Sequence, residues 1–220
     1  MPRLQGLIFD LEGTLVDGSY DLRQALNAAL KSMGRREVSL DEVKAFSIDG
    51  MLPMVHRAFA ATGEPIAEAD SYARFQIFIK HYRNQAPDPA QILPDVVETL
   101  ERFDAQGVLL GICTNNAEAA TKKLLEGLGL SRYFACIAGG DTFQFHKPNP
   151  AHVLGVIERL GVPAENCAMI GDSERDILAA HGAKIPCLAL HLPPDCGADG
   201  FIKGFREIPE SLTKLGFQFS

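Results

Sequence analysis

The chain has 220 residues, 46% of them hydrophobic, enough to bury one sizeable core and a smaller appended one. Its net charge of −7 argues against a nucleic-acid partner, because phosphate backbones are held by clustered Lys and Arg. A small anionic substrate stays possible, since one lysine and one divalent metal make a pocket locally positive. The five cysteines (Cys113, Cys136, Cys167, Cys187, Cys196) are odd in number, lack a CxxC pair and mostly lie in apolar runs, so neither a disulfide framework nor a zinc site is expected. No apolar run approaches a membrane span, and a strand near the N-terminus leaves no room for a signal peptide. The expected setting is a reduced cytoplasm, with no membrane partner.

A short apolar run leads into Phe9-Asp10-Leu11-Glu12-Gly13-Thr14-Leu15-Val16-Asp17. This reads as a strand that ends in a carboxylate loop. The alternation of a strand predicts that the carboxyl groups of Asp10 and Glu12 project from the same side of the chain. One can attack phosphorus while the other moves a proton. Asp17 is read as the start of a hinge, or equally as a turn residue.

Residues 18 to about 88 show helical patterns in succession with no strand between them, at 21–33, 40–46, 52–61 and 69–84. Asp41 and Glu42 open the second, which suits a helix N-terminus. Pro87-Asp88-Pro89 then predicts an extended linker, because residues before proline avoid the helical region.

From Leu93 onward helices alternate with short apolar strands, the pattern of a parallel α/β sheet. A helix over 95–106 is stopped by Gly107, and a strand over 108–113 follows. A helix over 117–128 is stopped by Gly129, and a strand over 136–138 ends at Gly139-Gly140. A helix over 150–160 is stopped by Gly161, and a strand over 167–170 ends at Gly171-Asp172. A helix over 174–181 is stopped by Gly182, before a strand over 187–190. The tail predicts one more short strand and helix at the core edge. The fold expected is a doubly wound, Rossmann-like α/β core built from residues 1–17 and 89–220, with an all-helical domain inserted at 18–88.

Each strand-end loop of that core carries one chemically apt group: Asp10, Thr114-Asn115, Lys147 and Asp172. On a doubly wound sheet all face one crevice. Phosphoryl transfer needs a nucleophile, neutralisation of charge and in-line positioning. Asp10 could form an aspartyl-phosphate. Asp10, the backbone carbonyl of Glu12 and Asp172 would satisfy Mg²⁺, which prefers oxygen ligands and keeps several waters. Thr114 and the amide of Asn115 could bind phosphoryl oxygens, and Lys147 would offset the charge of the transition state. Asp176 could orient a metal-bound water or the lysine. Taken singly, Asp and Thr at strand ends are as readily turn formers or helix caps, and Lys147 a solvated lysine.

In this order the motifs resemble those of the haloacid dehalogenase superfamily, over nearly the whole chain. Asp10 matches the nucleophile, although the usual second Asp of Asp-x-Asp-Gly-Thr is Glu12. Thr114 matches the second motif, Lys147 within His146-Lys147-Pro148-Asn149-Pro150 the third, and Gly171-Asp172-Ser173-Glu174-Arg175-Asp176 the fourth. The string Gly139-Gly140-Asp141-Thr142-Phe143 is similar to phosphoglycolate phosphatases, and the helical insertion resembles their cap. The resemblance implies a Mg²⁺-dependent phosphatase of a small phosphomonoester, acting as a monomer or homodimer. It also gives residue 12 the role of protonating the leaving alcohol and activating water. His56 and Arg57 lie near where similar phosphatases select substrate, and a solvated helix face is as good a reading of them. The other histidines read as surface or packing residues.

Glutamate is one methylene longer than aspartate, and a displacement on the order of 1 Å can cost roughly a hundredfold in rate. Three accounts follow: a re-spaced but working phosphatase, a site in which the aspartyl-phosphate persists, or a phosphate-binding variant. The second would suit a sugar phosphomutase of the β-phosphoglucomutase type. The first is preferred, because every other catalytic position holds a competent residue. Haloacid dehalogenase activity fits less well, since it would leave Asp172 and Asp176 without a role.

Overall fold

A computed structural model describes residues 2–64 and 68–218. Its contacts divide the chain into two compact units, Met1–Asp17 with Ile92–Ser220, and Gly18–Gln91.

Among the described residues the first unit holds six strands: β1 (Gly6–Phe9), β2 (Leu109–Cys113), β3 (Phe134–Ala138), β4 (Cys167–Gly171), β5 (Cys187–Leu190) and β6 (Gly200–Ile202). They form one parallel sheet in the order β3-β2-β1-β4-β5-β6. This is the doubly wound order, in which the chain leaves β1 toward one edge and returns to its other side. Side chains alternate between two apolar layers. Leu7 and Phe9 pack with Val96, Leu100 and Phe103, whereas Ile8 packs with Val153, Val156 and Ile177. Because both faces are covered, the strands read in sequence as unbroken apolar runs. Each such side chain, removed from water, contributes about 1.5–3 kcal/mol.

The covering helices of this unit are numbered after the four of the other unit, α1 (Ser19–Lys31), α2 (Leu40–Phe46), α3 (Met51–Thr62) and α4 (Glu68–Asn84). They are α5 (Val96–Ala105), α6 (Glu118–Gly127), α7 (Pro150–Leu160), α8 (Glu174–Gly182) and α9 (Ile208–Lys214). Gly107, Gly129 and Gly161 adopt positive φ of 72°, 70° and 69°, as helix-ending glycines should. Gly182 does not. Helix α8 runs through it, and Lys184 takes the left-handed position instead, at φ 61°. Glycine is needed at 182 for space, since a Cβ there would stand 2.8 Å from the Pro150 ring. The tail forms β6 and α9, with Ile208 and Leu212 of α9 buried in the core.

The helical unit packs α1–α4 around Leu26, Leu30, Val43, Met54, Phe59 and Phe78. Helix α2 opens with a capping box: the Ser39 hydroxyl accepts from the Glu42 N–H at 3.2 Å, and the Glu42 carboxylate accepts from the Ser39 N–H at 2.8 Å. The extended linker expected at Pro87-Asp88-Pro89 is only half present, because Pro89–Gln91 is a short 3-10 helix. Proline suits a first helical position, having no N–H to leave unbonded, and the Asp88 carboxylate caps the turn by accepting from the Ala90 N–H at 2.9 Å.

Four cysteines are buried and all five are free, so they act as small apolar residues. Among the described residues no helix is long and apolar enough to cross a membrane.

Candidate active site

Phe9 is in register with Ile112 on one side and with Ile170 on the other, so the three central strands end within one residue of one another. The residue just past each strand is Asp10, Thr114 or Asp172, and this is where the strand order reverses. In open α/β sheets that point forms the ligand crevice. The Asp10 N–H donates to the Ile170 carbonyl at 3.0 Å, and the Thr114 N–H to the Ala138 carbonyl at 3.0 Å. Both residues are therefore held by the sheet itself.

After Asp10 the chain reverses in a tight loop. The Leu15 and Val16 N–H groups donate to the Leu11 carbonyl at 2.8 and 3.1 Å, and the buried Leu11 side chain anchors the turn. Gly13 sits at φ 83°, and a Cβ on it would stand 1.9 Å from Asp172 Oδ2. Glycine is required there by conformation and by space alike.

Lys147 lies on the loop between β3 and α7. Its ammonium is 2.7 Å from Asp10 Oδ1 and 2.6 Å from Asp176 Oδ1, and its side chain is 3% exposed. The other oxygen of Asp176 accepts from the Ser173 N–H at 3.1 Å and from its hydroxyl at 2.5 Å. Asp10, Asp172 and Asp176 each place an oxygen within 4.8 Å of the others. The Thr14 hydroxyl donates to Asp172 at 3.3 Å.

Charge in this cluster is unbalanced. Three carboxylates face one ammonium, so two negative charges remain uncompensated. Burial, then the neighbouring Asp10 and Asp176, push the Asp172 carboxyl up to about 6. Burial also raises Asp10, although Lys147 pulls the other way. Burial opposes the charge on Lys147 too, but Asp10 and Asp176 outweigh it and hold the ammonium above its ordinary value.

The residues singled out in the sequence fall into three places. Asp10, Lys147 and Asp172 converge, as the strand-end reading expects. Thr114 is buried just past the end of β2, its hydroxyl accepting from the Asn116 N–H at 3.3 Å. Asn115 donates its side-chain amide to the Lys147 carbonyl at 2.9 Å, a link between the two loops that spacing alone does not reveal. Asp176 is a full member of the carboxylate cluster rather than an outlying helper, and the signal for it is the one-turn spacing from Asp172 at a helix start. Glu12 lies beyond the end of the strand. The pleat ends at Phe9, so the alternation does not extend into the loop, and Glu12 is exposed whereas Asp10 is buried. Arg57 belongs to the helical unit, where its guanidinium donates to the Phe46 carbonyl at 2.8 Å. His152 is a packing residue, fully buried, with the ring of Phe143 edge-on at 5.8 Å.

A family model described as haloacid dehalogenase-like hydrolase matches residues 7–190. The chain belongs to this family. Among the haloacid dehalogenase-like hydrolases it is similar to a phosphoglycolate phosphatase of Agrobacterium fabrum, at 40% identity over 219 residues, covering 95% of this chain and 94% of that one. A phosphoglycolate phosphatase of Mesorhizobium japonicum is 39% identical, over 84% of this chain and 81% of the other. The crystal structure of a predicted phosphoglycolate phosphatase from Haemophilus somnus superimposes with a TM-score of 0.72 at 26% identity, covering 96% and 98% of the two chains. The haloacid dehalogenase-like fold, with its parallel sheet and inserted helical segment, is thus the fold of this chain, and the chain is a phosphatase of that family.

Proposed function

We propose that the protein hydrolyses a small phosphomonoester, phosphoglycolate or a close analogue, through an aspartyl-phosphate on Asp10, and that it requires Mg²⁺. The observation that carries this reading is the buried Asp10–Lys147–Asp176 triad with Asp172 beside it. A nucleophile, a fixed cation and a surplus of carboxylate oxygens meet at one strand-end crevice. The similarity to two phosphoglycolate phosphatases supports the substrate class.

The donor set fits a magnesium ion, being all oxygen and carrying two uncompensated negative charges. Asp10 and Asp172 would hold it, with the backbone carbonyl of Glu12. Asp176 is less apt, because both of its oxygens are engaged by Lys147 and Ser173. Bound there, the ion would offset charge on the phosphoryl oxygens.

The residues act in sequence. Asp10 attacks phosphorus as a carboxylate, a form that the Lys147 ammonium favours. The bond from phosphorus to the ester oxygen breaks, and Glu12 gives its proton to the leaving alcohol. Glu12 then takes a proton from water, which attacks phosphorus and releases phosphate from Asp10. Lys147 stays charged throughout and faces the spreading negative charge. The Thr114 hydroxyl and the Asn115 backbone N–H bind phosphoryl oxygens, since the Asn115 side chain is committed to Lys147. Arg57, with His56, is assigned a part in choosing the leaving group.

Phosphate release from a panel of small phosphomonoesters, phosphoglycolate and sugar phosphates included, tests this with and without Mg²⁺. Metal-dependent release that favours phosphoglycolate is the expected result. Interconversion of sugar phosphates without release would replace it with a mutase, and binding of phosphate with no turnover would replace it with a binding protein.

A further inference from the structure

The string Gly139-Gly140-Asp141-Thr142-Phe143 performs no chemistry in the reaction above, yet its groups are directed almost wholly at the segment that follows Thr114. Asp141 Oδ1 accepts from the Glu118 N–H at 2.7 Å. It thereby caps α6, whose own N-cap residue, Ala117, has no side chain able to do so. The Thr142 hydroxyl donates to the Glu118 carboxylate and accepts from the Gly139 N–H at 2.8 Å. The Gly140 N–H donates to the Asn116 carbonyl at 2.8 Å. A Cβ at position 139 would stand 2.2 Å from the Glu118 nitrogen, and one at 140 would stand 2.5 Å from the Asn115 carbonyl oxygen. The loops after β2 and β3 are therefore in direct backbone contact along residues 115–118.

Phe143 faces the other way. Its ring lies under the Arg159 guanidinium at 4.6 Å and against Gly155 of α7, where a Cβ would come within 2.7 Å of it. One five-residue segment thus latches α6 on one side and α7 on the other. The two groups that bind a phosphoryl oxygen in the proposed reaction, Thr114-Asn115 and Lys147, lie on the loops that these latches join.

We propose that Asp141 and Thr142 are positioning residues that set the spacing between the Thr114-Asn115 loop and the Lys147 ammonium, an inference that rests on the phosphatase reading above. Lys147 is held at its head by Asp10 and Asp176 and at its carbonyl by Asn115. The Asn115 tie is only as well placed as the loop that carries it, and the Asp141–Thr142 clasp holds that loop to the β3 side. Helix stability alone does not account for the arrangement. A lost cap is worth about 1 kcal/mol, small beside the burial of six strands.

The test compares Thr142→Val, which removes both hydroxyl hydrogen bonds at nearly constant volume, with Thr142→Ser, which keeps them. Two readouts are taken with Mg²⁺ present: steady-state hydrolysis of a phosphomonoester that the unmodified protein turns over, and calorimetric affinity for inorganic phosphate. The expected result for folded Thr142→Val is a fall in kcat of about 10- to 100-fold and weaker phosphate binding, both restored in Thr142→Ser. A lower Tm with kcat and phosphate affinity both within about twofold of the original would overturn the proposal and leave the clasp merely structural. Should Thr142→Val not fold, Asp141→Ala, at an exposed position, is read by the same two outcomes. A protein that binds phosphate but hydrolyses no ester overturns the phosphatase reading alone, and phosphate affinity then still decides the role of the clasp.

Discussion

The Lys147 ammonium and the Asp176 carboxylate stand 2.6 Å apart, with side chains 3% and 0% exposed. A buried pair of this kind adds little over a well-packed apolar pair, but losing one partner strands the other without water. Lys147→Met should therefore lower the free energy of unfolding in the absence of metal by roughly 3–5 kcal/mol, and Asp176→Asn by less, since the amide oxygen can still accept. Adding Asp176→Leu to Lys147→Met should recover part of the loss. Urea denaturation in EDTA checks all three, and an unchanged midpoint for Lys147→Met would mean that the ammonium is not truly desolvated.

For the chemistry, Asp10→Asn should abolish phosphate release, because an amide cannot form the aspartyl-phosphate. Glu12→Asp should leave activity equal or higher, the shorter acid being the usual one at that place in the family motif. Release rates at saturating Mg²⁺ separate the two. Turnover by Asp10→Asn would remove Asp10 as the nucleophile.

His152 makes an acid-sensitive point in the core. It is fully buried, and a backbone hydrogen bond with Gly139 only partly offsets the cost of charging it there. Burial, reinforced by the Lys147 charge, pushes its pKa down to about 4 from 6.5. In the unfolded chain it binds a proton below pH 6.5, but in the folded protein only near pH 4. Between those values the unfolded state holds more protons, so stability falls as pH drops, by about 1.4 kcal/mol per unit and about 3 kcal/mol in all. Urea midpoints at pH 7 and pH 5 should differ by more for the original protein than for His152→Leu. Equal differences would remove His152 as the cause.

Gly13→Ala should disturb the carboxylates proposed to hold the metal without replacing one. Its φ of 83° is strained for alanine, and the new methyl would stand 1.9 Å from Asp172 Oδ2, so either the loop or the carboxylate must move. We expect Mg²⁺ affinity, followed by calorimetry, to fall by about tenfold, roughly 1.4 kcal/mol. Unchanged affinity would show that Asp172 does not hold the ion.

Much of this arrangement was legible in the residues themselves. Burial of both sheet faces leaves unbroken apolar runs, and neighbouring strand ends carry Asp10, Thr114 and Asp172, so periodicity reaches the crevice. Where periodicity ends, inference falters. Glu12 lies in a turn, where alternation no longer says which carboxyl is buried. Gly182 reads as a helix stop but is a contact with Pro150, a constraint set by a distant segment. Asp88 before proline reads as extended chain, yet its carboxylate caps the turn that follows. The tie from Asn115 to the Lys147 carbonyl joins residues 32 apart and leaves no local trace.

Strand β1 lies between β2 and β4, which begin at Leu109 and Cys167. During synthesis from the N-terminus, then, the middle of the sheet emerges first and its second neighbour only after about three-quarters of the chain. Until Cys167–Gly171 has been made, Leu7, Ile8 and Phe9 have no complete surface to pack on. A nascent chain halted between the two strands would expose one edge of β1 together with the Asp10 loop. Such intermediates, with unpaired apolar strand edges, are prone to aggregate and are natural clients for chaperones. The same strand that carries Asp10 into the crevice thus makes the growing chain most vulnerable.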